Sequence, residues 1–312
     1  MHKGNTSLIF ILFLIAMVSI GWGVAFLSLA VLLEKMEPMQ VLAARWSITA
    51  LVFLILMAAG KIRFRLRGKN ALFLILAGLF EPCAYSILEA YGIKLTSAST
   101  SAIFVASIPS MTLVLGILLF RSRADLKLVV SIAITFAGVV IATFLSPALS
   151  LGGTKAGMMC MGLGVVAASM YSLSSRKASE DFDAGTVTAV MAFEGAIFFN
   201  IIAFAQGHRG DTFLLPFSDW TLAGHMLFLS VFCAFGSYFC YNRLLRDVEP
   251  ALATNIAGSL STIIGVVCGI LFMGDIWGWY TVVGLCITLI GVWLSTSRIK
   301  EDKQSLDNSE GM

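Results

Sequence analysis

The chain has 312 residues, 58% of them hydrophobic and only 12% charged, with a mean hydropathy of +0.91. An ordinary soluble domain holds about 45 to 50% apolar and about 25% charged residues. The 21 Lys and Arg with 18 Asp and Glu cannot coat a water-soluble core of this length, so a soluble globule is excluded and the solvent must be largely lipid.

A bilayer core about 30 Å thick takes roughly 20 apolar residues per helix. Stretches between charge clusters and turn residues predict ten spans, at about 8–33, 38–59, 71–92, 96–120, 126–146, 156–175, 184–205, 220–241, 250–272 and 277–297. The apolar run of the first span continues through Trp22, Phe26 and Leu33 without a small-x-small cleavage site, so it reads as a retained helix and not a signal peptide. The longest internal loop, about 206–219, is too short to be a domain.

Ionisable residues inside spans are costly there and normally face a cavity or a partner. In the second span Arg45 lies roughly 10 Å below the outer end at about 1.5 Å per residue. It has three readings: it holds Glu81 ionised, it binds the carboxylate of an amino-acid-like substrate in a fork, or it snorkels to the interface as an anchor. Glu81 sits near the middle of the third span and is followed by Pro82, which frees the carbonyl of Gly78 and kinks the helix. Gly78, Glu81, Tyr85 and Glu89 are spaced to share one face. That stripe suits a cavity wall, with an interhelical clamp as the alternative. In the fourth span Pro109 frees the carbonyl of Val105 beside Ser107, a hinge or a polar lining at mid-membrane.

In the seventh span Glu194 lies at a depth similar to that of Glu81. Two mid-membrane carboxylates, one from each half, are what a proton-coupled exchanger could use, and a neutral Glu194 bonded to a neighbouring helix is the alternative. His225 in the eighth span reads as a satisfied interfacial histidine. In the ninth span Thr254, Gly258, Thr262, Gly265 and Gly269 form a small-residue packing face. Asn255 and Ser259 lie beside it and are available to bind substrate. Trp22, Tyr171, Tyr238 and Tyr241 are candidate aromatic walls.

With the amino terminus in the cytoplasm, sixteen Lys and Arg fall in inside loops or the tail: Lys3, Lys61, Arg63, Arg65, Arg67, Lys69, Arg121, Arg123, Lys127, Arg176, Lys177, Arg243, Arg246, Arg298, Lys300 and Lys303. Only Lys35, Lys94, Lys155 and Arg209 fall outside. Positive charge marks the cytoplasmic side, and the alternation through every loop places both termini there. The loop Lys61 to Lys69 then reads as topogenic and lipid-facing, and no nucleic acid is expected as a partner. Cys83, Cys160, Cys233, Cys240, Cys268 and Cys286 all fall in spans without metal-ligand spacing and read as small packing residues.

Two internal matches stand in register. Gly116 to Phe120 resembles Cys268 to Phe272, and Ile134-Thr135-Phe136-Ala137-Gly138 resembles Ile287-Thr288-Leu289-Ile290-Gly291. The expected fold is therefore an all-α membrane protein of two five-helix repeats, 1–147 and 148–297, followed by a cytoplasmic tail, 298–312. An odd span number inverts the second copy, and inverted repeats build a cavity at their interface that opens alternately to each side.

Gly21-Trp22-Gly23-Val24-Ala25-Phe26, Pro38 with Arg45 seven residues later, and Met273-Gly274-Asp275 before Trp279 to Gly291 resemble motifs of the drug/metabolite transporter superfamily, EamA type. Arg121 stands where the first half's turn acid is usual, and Asp275 where Glu is commoner. The resemblance implies export of a small organic solute, such as an amino acid or related metabolite, across the cytoplasmic membrane. A polytopic membrane enzyme or receptor is the runner-up, but the sequence carries no metal cluster, nucleophile motif or phosphate loop. A channel would need a ring of charges or a filter motif. The expected partners are a small-molecule substrate and the lipid bilayer, with a homodimer as an option and no cofactor.

Overall fold

A computed structural model describes residues 8–62, 68–95, 104–105, 107–121, 126–145, 155–208, 210–273 and 278–310. Lys3, Arg63, Arg65, Arg67, Arg123, Arg209 and the Gly274-Asp275 turn lie outside the described residues, as does part of the expected fourth span. The described chain is helical: α1 (Leu8–Leu33), α2 (Pro38–Ala58), α3 (Ala71–Gly78), α4 (Tyr85–Leu95), α5 (Ile108–Phe120), α6 (Leu126–Phe144), α7 (Lys155–Ala178), α8 (Ala184–Ala205), the short α9 (Asp211–Leu214), α10 (Trp220–Leu227), α11 (Tyr238–Asp247), α12 (Pro250–Cys268) and α13 (Trp279–Glu310). Widened π-type segments join α3 to α4 at Leu79–Ala84 and α10 to α11 at Phe228–Ser237.

Among the described residues seven helices are long and apolar enough to cross a bilayer, and three shorter apolar helices, Ile108–Leu119, Leu126–Gly138 and Trp279–Leu294, fall on the remaining expected spans. The helix from Trp279 does not stop at 297 but runs on to Glu310, because Glu, Lys and Gln in the tail are good helix formers.

The distribution of side chains is that of a protein in lipid. Ile9, Leu118, Ile201, Phe204 and Trp293 present their apolar surface outward, while Ser169, Ser174, Ser175, Thr186 and Thr188 are fully buried. Lipid offers apolar side chains a solvent as good as the core, so helix association relies on close packing and interhelical hydrogen bonds.

Helix ends follow from local chemistry. At the start of α2 the Gln40 side chain accepts the Glu37 N–H at 2.9 Å with Pro38 behind it, and at the start of α8 Asp183 accepts the Thr186 N–H at 2.7 Å. Both helices close in the same way, on Gly60 with φ 69° and Gly207 with φ 90°. The N–H after each glycine returns to the helix, Lys61 to Leu56 O and His208 to Ala203 O, both at 2.9 Å. A side chain at either glycine would meet the left-handed region's steric cost.

Among the described residues a close helix crossing joins α6 to α13, and it is reciprocal. A Cβ on Gly138 would fall 2.5 Å from Thr288 N and 2.7 Å from Gly284 O, and one on Gly291 would fall 2.7 Å from Thr135 N and 2.9 Å from Ser131 O. The contacts of each helix are thus those of the other exchanged, as across a two-fold axis. The same exchange runs through the bundle: α1 lies along α12 as α7 lies along α5, α2 lies against α8, and the α3–α4 span contacts α7 as the α10–α11 span contacts α1.

Candidate functional site

A cavity lies among α1, α2, α4, α5, α7, α11 and α12, with about 90 Å³ in which the centre of a water molecule can move. A single water needs about 10 to 15 Å³ by this measure, so the space suits several waters or a small solute. Its wall carries Arg45, Glu81 and Glu89 together with Trp22, Tyr85, Tyr171, Tyr238 and Tyr241.

Glu81 reaches this wall because the third span breaks beneath it. Its backbone is extended (φ −139°, ψ 116°) inside the widened segment Leu79–Ala84, where Pro82 supplies no N–H to the helix. Tyr238 Oη donates to Glu81 Oε1 at 2.7 Å and Ser86 Oγ donates to the same oxygen at 3.1 Å. The other oxygen, Oε2, is buried without a hydrogen-bond partner. A buried carboxyl oxygen in that condition costs free energy until a donor arrives. One turn further on, Tyr85 Oη donates to Glu89 Oε1 at 2.7 Å.

Arg45 is buried against the ring of Trp46, with its guanidinium carbon 5.4 Å from the ring centroid. Its Nη2 donates to Cys233 Sγ at 3.5 Å and its Nε has no partner. The aromatic side of the wall is continuous. Trp22 lies 4.8 Å from Tyr241 and 5.7 Å from Tyr238, and Tyr171 lies 5.9 Å from each tyrosine, between ring centroids. Tyr241 shares hydrogen bonds along the wall with Ser172 at 2.9 Å and Thr254 at 2.7 Å, and Tyr171 is held from behind it by Asn242 Oδ1 at 2.8 Å.

Six of the nine residues expected at the site line this cavity: Trp22, Arg45, Glu81, Tyr85, Glu89 and Ser259. The other three do not. Glu194 packs on Gly78, where a Cβ would fall 1.7 Å from its Oε2, an oxygen buried without a partner. Asn255 is held behind the wall, accepting from Thr135 Oγ1 at 2.6 Å. Ser107 precedes the first turn of α5 and donates to Phe104 O at 2.5 Å.

Four details differ from the sequence reading, each for a local reason. Gly78 leaves the face shared by Glu81, Tyr85 and Glu89 because the extended backbone at Glu81 resets the helical phase. Of the three readings of Arg45, the one that pairs it with Glu81 finds no direct ion pair among the described residues; the acid takes its hydrogen bonds from Tyr238 and Ser86. Pro109 stands at the second position of α5, so it opens that helix and is not a hinge within it, while Val105 and Pro109 themselves line the cavity. Thr254, Gly258 and Thr262 line the cavity, and a Cβ on Gly258 would meet nothing within 4 Å, so only the Gly265 end of that face packs closely, on Gly23 O.

Sequence reasoning missed Cys233, which lines the cavity beside Arg45, and Asn242, which anchors the wall. The sequence offers a spacing signal for Asn242: Tyr238 and Asn242 follow Tyr85 and Glu89 at one offset of 153 residues (from 85 to 238 and from 89 to 242). His225 Nδ1 lies 3.0 Å from Ser28 Oγ, a satisfied histidine. Among the described residues no group of three His, Cys, Asp or Glu is placed to hold a metal ion.

Comparison with known proteins bears on this architecture. The profile of the EamA-like transporter family matches residues 9–144 and 155–297. The chain is 24% identical over 273 residues to the uncharacterized transporter YcxC of Bacillus subtilis (strain 168), covering 86% of this chain and 87% of that protein. It is 20% identical over 260 residues to the uncharacterized transporter YetK of the same organism, covering 82% and 78%. A solved structure named only "Crystal structure of protein" superimposes with a TM-score of 0.73 at 13% identity, over 93% of this chain and 97% of the other, and so shares its fold.

Proposed function

The chain belongs to the EamA-like transporter family, and from that premise and the cavity we propose that it exports a small organic metabolite, an amino acid or related compound, by proton-coupled alternating access. It performs vectorial transport and no bond chemistry. The observation that carries this reading is Glu81. One of its oxygens is held by Tyr238 and Ser86 and the other lacks a partner, at the break of a span, on a cavity shared with Arg45 and six aromatic side chains. A carboxyl placed so can exchange a proton for a solute's donor group, while the Arg45 guanidinium matches a carboxylate.

The chain divides in this reading into two inverted five-helix repeats, 1–147 and 148–297, in a cell membrane with both termini cytoplasmic. The reciprocal α6–α13 crossing and the matching caps of α2 and α8 support the inversion, and the distribution of Lys and Arg supports the orientation. Asn255 holds Thr135 of the wall from behind, Ser107 closes the turn that leads into α5, and Glu194 stands as a second acid against the span that breaks at Glu81.

The direct test compares the small molecules in the medium of cells overexpressing the protein with those of cells lacking it. A compact zwitterion or related metabolite should be enriched in the medium of the overexpressing strain. Depletion of the same compound from the medium would reverse the direction, and identical profiles across growth conditions would contradict export.

A further inference from the structure

At one end of the cavity four contacts that cross between helices converge on a single side chain. Asn242 of α11 is fully buried behind Tyr171 and Tyr241. Its Oδ1 accepts Tyr171 Oη at 2.8 Å and Ser175 Oγ at 2.6 Å, both from α7, and its Nδ2 donates to Thr188 Oγ1 at 2.9 Å and reaches Met191 Sδ at 3.4 Å, both on α8. One side chain thus ties three helices together and seals the cavity toward the ends that carry Ala178, Ala184 and Asp247.

Glu89 holds the equivalent place in the first half, at the 153-residue offset already noted, with Tyr85 standing for Tyr238. Its environment is different. Glu89 is half-buried on the cavity wall, and its hydrogen bond comes from Tyr85 of its own helix. Helices α2 and α8 correspond at an offset of 146 residues, set by their capping residues (from 37 to 183), which makes Arg45 the equivalent of Met191 (from 45 to 191). The Asn242–Met191 contact of this conformation therefore has a counterpart in Glu89 and Arg45. Both line the cavity, yet among the described residues no ion pair joins them. The link between α2 and α4 at that end is the exposed Lys94–Glu37 pair, 2.6 Å apart, of a class worth at most about 1 kcal/mol.

We propose that the two ends of the cavity are closed by equivalent latches used in turn: the Asn242 cluster in the present conformation, and an Arg45–Glu89 ion pair in the reverse one. The inference rests on the alternating-access reading above. The two inverted halves exchange conformations, so contacts made by one are remade by the equivalent residues of the other. A guanidinium and a carboxylate brought together away from water form a charge-assisted, directional bond that suits a reversible latch.

The test uses the full chain with its six cysteines replaced, in sealed membrane vesicles of defined orientation, with Gly258→Cys as a reporter in the cavity and an impermeant thiol reagent on either side. Asn242→Ala should raise labelling from the Asp247 face by about tenfold, the effect of losing somewhat more than one buried hydrogen bond. Glu89→Gln, close to isosteric, should lower labelling from that face. In a reporter-free chain, a short bifunctional thiol reagent should join Arg45→Cys to Glu89→Cys, and faster when Asn242→Ala is also present. Unchanged labelling in both variants, or a cysteine pair that never joins, would overturn the latch while leaving the carrier reading intact. A reporter reached from one face only in every variant would instead overturn alternating access itself.

Discussion

Glu81→Gln is expected to leave the protein folded and to abolish the pH dependence of its transport. The amide keeps an oxygen to accept from Tyr238 and Ser86, whose donors lie 2.7 and 3.1 Å from the present Oε1, and places its nitrogen where Oε2 now stands without a partner. Shape and hydrogen bonds are thus retained while the titrating proton is removed. In proteoliposomes with a pH step of one unit, one proton exchanged per solute supports about tenfold accumulation of solute in the more acidic compartment. The sign follows from exchange, since the proton leaves the acidic side as the solute enters it. The variant should show facilitated movement to equal concentrations and no accumulation. A variant that still accumulates solute tenfold would reduce Glu81 to a clamp between the third span and α11.

The second large effect is expected at the α6–α13 crossing. Gly291→Leu would place a Cβ 2.6 Å from Thr135 Cγ2, 2.7 Å from its amide nitrogen and 2.9 Å from Ser131 O. Two of those neighbours are backbone and cannot rotate away, so the helices must part. Overpacking of this kind costs about 1 to 3 kcal/mol, occasionally more, and here it also removes the close approach that holds helices together in lipid. Gly138→Leu meets Thr288 N at 2.5 Å and Gly284 O at 2.7 Å and should cost a similar amount. Thermal unfolding of the purified protein in detergent checks both, with Gly224→Ala as the control, since a Cβ there meets nothing within 4 Å. A Gly291→Leu protein as stable as that control would show that the crossing contributes nothing to the fold.

Much of this architecture was legible in the sequence because lipid is an unforgiving solvent. A carboxylate or guanidinium at mid-membrane needs a reason to be there, so Arg45, Glu81 and Glu194 stand out, and the first two line the cavity, as does Glu89 nearer the outer face. The bulky aromatic residues Trp22, Tyr171, Tyr238 and Tyr241 stood out for the same kind of reason, since their polar tips need partners in lipid, and they line it too. Small residues carry no such signal. Thr254, Gly258 and Thr262 have the spacing of a packing face, and whether a glycine meets a neighbouring helix or open space depends on where that helix lies.

Glu194 shows a second limit. Depth along a helix can be counted, but the direction in which a side chain points around the bundle cannot, and α8 turns Glu194 toward Gly78 and away from the cavity. The pairing drawn between Arg45 and Glu81 failed to anticipate Tyr238, because the hydroxyl comes from a helix some 157 residues away in sequence. Asn242 was hidden in a different way: its importance comes from four contacts made at once, each ordinary in isolation.

The central claim is that the cavity holding Arg45 and Glu81 is the binding site of a carrier. Counterflow in proteoliposomes tests it most directly, with the lumen preloaded with the metabolite enriched in the medium and a trace of labelled metabolite added outside. The account predicts a transient, saturable uptake of label above equilibrium, lost in Arg45→Ala and retained in Gly224→Ala. Label that enters without overshoot and without saturation, or an overshoot that Arg45→Ala leaves unchanged, would contradict it.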